Sequence, residues 1–154
     1  EANDIVVSGG DVYVSGYETS TAGNDKACYW KNGDITFLSF ELKKDIAAYA
    51  IAISGDDIYV AGREHTGSGT KPCFWKNGTR TDLSTSGQWA SANSLFVSGG
   101  DVYIGGWEEV SGKKSAACYW KNGVKNISDR WTNFCRNKRN LCIRKRYLHG
   151  RTRA

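Results

Sequence analysis

An all-β fold assembled from repeated four-stranded antiparallel blades is the architecture this sequence predicts, and three observations carry the prediction. One phrase recurs at a fixed interval: CYWKNG at 28–33, CFWKNG at 73–78 and CYWKNG at 118–123, 45 residues apart each time. A second phrase travels with it: IVVSGGDVYVSGYE at 5–18, IAISGDDIYVAGRE at 51–64 and LFVSGGDVYIGGWE at 95–108. The composition has 18 Gly, one Pro, no Met, six Trp and eight Tyr, which suits short strands and tight turns better than helices. Self-similarity at such a period marks a repeat architecture, and four strands in about 40–50 residues is the size of a β-propeller blade.

Each copy supplies four predicted strands in order. The first is the apolar run at 5–7, 51–53 and 95–97. It is nearly continuous in apolar residues, as expected of a strand covered on both faces. A Ser-Gly turn region with Gly9-Gly10, Asp56-Asp57 or Gly99-Gly100 leads to the second strand, at 12–14, 58–60 and 102–104. The third strand, at 27–31, 72–76 and 117–121, carries the Cys-aromatic-Trp triplet. Asn-Gly at 32–33, 77–78 and 122–123 then accepts the positive φ angles of a type I′ hairpin turn. The fourth strand, at 35–38, 80–83 and 124–127, is more polar, as suits an outer edge. Trp30, Trp75 and Trp120 are expected to fill equivalent layers between blades, each contributing on the order of a few kcal/mol.

The expected organisation is about three blades over residues 1–133, followed by an anomalous basic tail at 134–154. The net charge of +5 is misleading, because the tail holds eight Lys/Arg and no acid, whereas the first 133 residues hold 13 basic and 16 acidic side chains. Adding the period to 98–106 predicts a fourth copy at 143–151, but that stretch reads IRKRYLHGR. Back-translated and read in the next frame, residues 140–152 permit IYVSGNDIYMAG, the missing repeat in register. The partial fourth blade is therefore read as frameshifted near 133–135. Misread AT-rich codons yield Lys, Arg and Asn, so the tail's charge does not argue for nucleic acid as a partner. No apolar run is long enough to span a membrane as a helix. The sequence begins without Met or a signal pattern and is expected to start at a mature or truncated end.

Built around Asp-x-Tyr-Val-x-Gly, the repeat resembles bacterial β-propeller repeat proteins. It is most similar to the secreted SBBP type, with a weaker kelch-like likeness in Tyr103-Ile104-Gly105-Gly106. The resemblance covers roughly residues 1–130. It implies a propeller fold and an exported protein, extracellular or at the cell surface, and leaves activity open because propellers host many functions.

No catalytic motif is evident. Cys28, Cys73 and Cys118 occupy equivalent positions about one blade spacing of 10 Å apart, out of disulfide reach, and are expected to be small buried residues. No metal and no cofactor are expected, since no Cys-x-x-Cys or nearby histidine accompanies them. His65 lies in a polar stretch and His149 in the tail. Glu18, Glu64 and Glu108 recur at the end of strand two and are expected to form salt bridges or loop hydrogen bonds, with Lys31, Lys76 and Lys121 as the opposite charges. Loops 17–26, 63–71 and 107–116, with connections 39–49 and 84–93, form the expected binding face. The candidate ligand-binding residues on it are Tyr17, Arg63, His65, Trp89 and Trp107.

The expected function is a non-enzymatic scaffold for protein or carbohydrate binding, as part of a larger exported bacterial protein. The alternatives are a glycan-acting hydrolase or lyase with its catalytic groups on the loop face or in missing blades, and a truncated product with no selected function. Closed propellers need about four to eight blades, so three imply either a fragment or copies that associate to complete a ring.

Overall fold

The computed structural model of the chain describes residues 1–38, 45–110 and 114–126. The basic tail, with the fourth copy expected there, Cys135, Cys142, His149 and the last residue of the third fourth-strand, Ile127, lie outside the described residues.

Turn chemistry sets the blades. Asn32, Asn77 and Asn122 have φ of 52°, 50° and 51°, each followed by a glycine with φ of 80° or more, as a type I′ turn requires. Gly9-Gly10 and Gly99-Gly100 likewise have two positive φ angles. In the second copy the turn residues are Gly55-Asp56, one position earlier than the sequence suggests, because Ser54 pairs with Asp57. Only Gly55 needs a positive φ there.

These turns define three four-stranded antiparallel sheets. Blade 1 comprises β1 (Ala2–Ser8), β2 (Asp11–Thr19), β3 (Asp25–Lys31) and β4 (Asp34–Phe37). Blade 2 comprises β5 (Asp45–Ser54), β6 (Asp57–His65), β7 (Thr70–Lys76) and β8 (Thr79–Asp82). Blade 3 comprises β9 (Ala90–Ser98), β10 (Asp101–Val110), β11 (Lys114–Lys121) and β12 (Val124–Asn126). Strands pair in sequence order within each sheet, and no helix occurs among the described residues. The sheets stack face to face as successive propeller blades, with β5 against blade 1 and β9 against blade 2.

The recurring Asp, Tyr, Lys and Asn form one lock in each blade. Asp11 accepts from Asn32 Nδ2 at 2.7 Å and pairs with Lys31 Nζ at 2.8 Å. The Tyr13 hydroxyl also reaches Asp11, and Asn32 Oδ1 accepts the Val12 N–H at 2.9 Å. The same set recurs around Asp57 with Lys76 and Asn77, and around Asp101 with Lys121 and Asn122. Each lysine also lies over the ring of the blade's tyrosine, 5.3–5.4 Å from its centroid. The lysine hydrogen bond holds each aspartate below the ordinary carboxylate range, and the aspartate raises each lysine in return.

The lock corrects one expectation: Lys31, Lys76 and Lys121 do not serve the recurring glutamates. Register decides this, because Tyr13 pairs with Lys31, at the opposite end of β2 from Glu18. Glu64 instead pairs with Arg80 at 2.6 Å, and Glu108 with Lys125 at 2.8 Å. Arg80 and Lys125 stand opposite Trp75 and Trp120 in the β7–β8 and β11–β12 ladders. Blade 1 has Ile35 at that position, opposite Trp30.

The core lies between blades. Trp75, Cys73, Val60 and Ile51 of blade 2 pack against Tyr13, Ala27 and Leu38 of blade 1. Trp120, Cys118, Ile104 and Val102 of blade 3 pack in the same way against Tyr59, Ala61, Phe74 and Leu83 of blade 2. The face carrying the tryptophan thus meets the face carrying the tyrosine of the preceding blade. Trp75 and Trp120 are fully buried, whereas Trp30 is half-buried on the outer face of blade 1. Burial pushes the thiols of Cys28, Cys73 and Cys118 up to about 11, 12 and 12.

Candidate functional site

The glycine that ends each Asp-x-Tyr-x-x-Gly phrase shapes the site. A Cβ on Gly16, Gly62 or Gly106 would lie 1.9–2.0 Å from the carbonyl oxygen of Glu1, Ala47 or Ser91, so only glycine lets the first strand approach so closely. At the same place the ladder between first and second strands slips by one residue. Gly16, Gly62 and Gly106 pair with Ala2, Ala48 and Ala92, and Asn3, Tyr49 and Asn93 are skipped. Such a bulge redirects the extra side chain.

The bulged side chains meet residues from the adjoining second strands. Asn3, Tyr49, Arg63, Ser91, Asn93 and Trp107 line one cavity of about 340 Å³, to which all three blades contribute through their first strands. Asn3 Nδ2 donates to the Ala48 carbonyl at 2.9 Å, and Ser91 Oγ donates to Asn93 Oδ1 at 2.5 Å. The Arg63 guanidinium lies 5.3 Å from the centroid of the Tyr49 ring. Burial raises the Tyr49 hydroxyl, partly offset by Arg63. No described carboxylate forms an ion pair with Arg63, and no Asp, Glu or His is among the described residues lining the cavity. The cavity therefore presents a guanidinium with donors to spare, two aromatic rings, two amides and a hydroxyl. That set suits a neutral, oxygen-rich ligand with an apolar face.

The structure distributes the five sequence-predicted residues over three places. Arg63 and Trp107 come together in the cavity. Tyr17 has the equivalent position in blade 1, but its hydroxyl donates to the Glu1 carboxylate at 2.7 Å, which pushes it up to about 12. His65 and Trp89 form a separate edge-to-face pair with ring centroids 5.8 Å apart. His65 Nδ1 accepts the Gly67 N–H, and Trp89 bridges to Thr70 just before β9. Tyr17, Arg63, His65 and Trp107 sit within second strands and not in loops, because the ladder to the third strand continues through the polar residues beyond the apolar run.

Sequence reasoning missed Tyr49, Asn3, Asn93 and Ser91. A signal was present: Asn3, Tyr49 and Asn93 each stand thirteen residues before the glycine of the phrase. The buried Glu108 is structural. It accepts from Lys125 Nζ, from the Ser86 N–H at 2.9 Å and from the Thr85 hydroxyl at 3.1 Å, and so clamps the connection into blade 3. No group of three or more His, Cys, Asp or Glu positioned to hold a metal occurs among the described residues.

No protein-family model matches the sequence, and no curated protein is similar to it at a significant level. Among solved structures, the chain is similar to a fucose lectin from Kordia zhangzhouensis in complex with methyl-fucoside, with a TM-score of 0.59 and 10% identity. The match covers 83% of this chain and 98% of the lectin chain. At that identity the likeness is one of fold: an all-β arrangement of sheets, shared over nearly the whole length of the lectin.

Proposed function

We propose that this chain is a non-enzymatic carbohydrate-binding protein and that the sugar occupies the cavity between Trp107, Arg63 and Tyr49. One observation carries the reading: an aromatic face and an arginine that pairs with no described carboxylate share a cavity among whose described lining residues none is acidic. A pyranose offers C–H groups for the indole face and hydroxyl oxygens for the guanidinium and amides. The cavity of about 340 Å³ suits one or two sugar rings better than a protein surface. The lectin of similar fold was solved with methyl-fucoside, which makes a neutral deoxy-sugar the first ligand to try. Glycoside hydrolysis needs a pair of carboxylates flanking the bond, and the described residues of the cavity lining supply none. An extracellular or cell-surface setting is proposed on the resemblance of the repeat to exported bacterial propeller proteins.

The test is calorimetric titration of the full chain with methyl-fucoside and a panel of other methyl glycosides. Binding by at least one glycoside is expected. Trp107→Ala and Arg63→Met should each weaken it about tenfold or more, equivalent to roughly 1.4 kcal/mol. Equal affinity in both variants, or no binding across the panel, would refute the assignment.

A further inference from the structure

We propose that Asn32, Asn77 and Asn122 are latent self-modification sites: the glycine after each primes it to cyclise to a succinimide, and the aspartate of its own blade holds its amide in an unreactive position. These are the only Asn-Gly pairs in the sequence. In such a pair no side chain shields the glycine nitrogen, so that nitrogen can attack the asparagine Cγ. The glycine N–H gives up its proton to base, and the new N–Cγ bond closes a cyclic imide. The Cγ–Nδ2 bond breaks, and the amide nitrogen takes up a proton and leaves as ammonia. Water then opens the imide at either carbonyl carbon, leaving aspartate or isoaspartate.

The three asparagines are exposed, so the restraint on this reaction lies in hydrogen bonds and not in burial. To react, the amide must swing its carbonyl carbon onto the nitrogen of the next residue. In each turn both of its polar atoms are instead fixed on the start of the blade's second strand. Nδ2 donates to Asp11, Asp57 or Asp101 at 2.7–2.8 Å. Oδ1 accepts the N–H of Val12, Ile58 or Val102 at 2.8–2.9 Å. The main-chain N–H of the same asparagine donates to the carbonyl of that residue at 2.9 Å. Each aspartate is held in turn by the lysine before the asparagine, at 2.6–2.8 Å. Cyclisation therefore has to break two side-chain hydrogen bonds, one of them to a charged acceptor. The reaction also removes its own restraint. Its product has no Nδ2 to donate and sets a second carboxylate against the aspartate, so the lock does not re-form. Isoaspartate further inserts a backbone carbon into a two-residue turn.

Peptide mass spectrometry of the full chain, incubated in mildly alkaline buffer with and without urea, tests this. Conversion of Asn32, Asn77 and Asn122 to the acid is expected to be about thirtyfold slower in the native protein than in urea, as two surrendered hydrogen bonds imply. Asp57→Ala should speed conversion of Asn77 about fivefold and leave Asn32 and Asn122 at the native rate. Asp101→Ala should move the effect to Asn122 alone. The untouched turns are references within the same molecule, so loss of the fold, which would speed all three, is told apart from loss of one lock. Equal rates with and without urea, an unchanged Asn77 rate in D57A, or acceleration spread over all three turns in either variant would overturn the proposal.

Discussion

Glu108→Gln isolates the contribution of one buried charge to the junction of blades 2 and 3. Glu108 is 1% exposed and holds Lys125 Nζ at 2.8 Å together with two donors from the connection, Ser86 N–H and the Thr85 hydroxyl. Glutamine keeps the shape and one acceptor oxygen, so a connection donor can still be satisfied. Its NH₂, however, faces an ammonium, and Lys125 loses its counter-charge while its side chain is only 12% exposed. Breaking one partner of a buried ion pair costs about 3–5 kcal/mol, and the low end applies because Lys125 retains Ser86 Oγ. For a chain of 154 residues a loss of about 3 kcal/mol corresponds to a fall in Tm of about 6–12 °C. The effect should also depend on pH. Burial alone would raise Glu108, but the hydrogen bonds from Lys125, Ser86 and Thr85 outweigh it and lower it below its ordinary 4.5. A lowered carboxylate stabilises the fold above its unfolded value and loses that stabilisation as pH falls through its folded value. Urea denaturation should therefore separate wild type from E108Q most widely near neutrality, and the gap should narrow in acid below about pH 4.5. Adding Lys125→Met to E108Q should recover part of the loss, because no charge is then left unpaired and the glutamine oxygen still accepts from the connection. Equal urea midpoints for wild type and E108Q at neutral pH, or a gap that does not change down to acid, would refute the account.

Two further outcomes follow from the same geometry. Gly62→Ala should destabilise by about 3 kcal/mol or more, since its Cβ would lie 2.0 Å from the Ala47 carbonyl; Gly9→Asn, with a positive φ but nothing within 4 Å, should stay within about 1 kcal/mol, and similar urea midpoints for the two would remove the case for the close approach. Cys28, Cys73 and Cys118, raised by burial to about 11, 12 and 12, should resist iodoacetamide at pH 8 in the native protein and react in urea, as read by peptide mass spectrometry; native alkylation at any of the three would contradict their burial.

The blade was legible in the sequence because its determinants are local. Asn-Gly fixes a two-residue turn, the turn fixes the register of the third and fourth strands, and the register puts Cys28, Cys73 and Cys118 on one face with the tryptophans. The charge pairs were not legible at that level. Lys31 and Glu18 belong to neighbouring phrases, and only the antiparallel register shows that they stand at opposite ends of β2. The different burial of Trp30 was also hidden, because the three phrases around the tryptophans are nearly identical. What distinguishes them is the presence of a preceding blade, a tertiary fact.

The cavity was half legible, for a physical reason that separates scaffold from site. Positions that keep their residue in all three copies, such as Asp11, Tyr13, Gly16, Trp30 and Asn32 with their equivalents, build the blade and its turns. Positions that differ between copies face the cavity: Asn3, Tyr49 and Asn93 in the first strands, and Arg63 and Trp107 in the second. The second set shows in the sequence because it adjoins an unchanging glycine and glutamate. The first set is exposed only through the bulge, and the bulge exists because that glycine has no Cβ. One unchanging residue thus creates the opening into which the changing residues project. A three-fold repeat of sequence thereby yields a site that is not three-fold, with Tyr49 and Arg63 on one wall and Asn93 and Trp107 on the other.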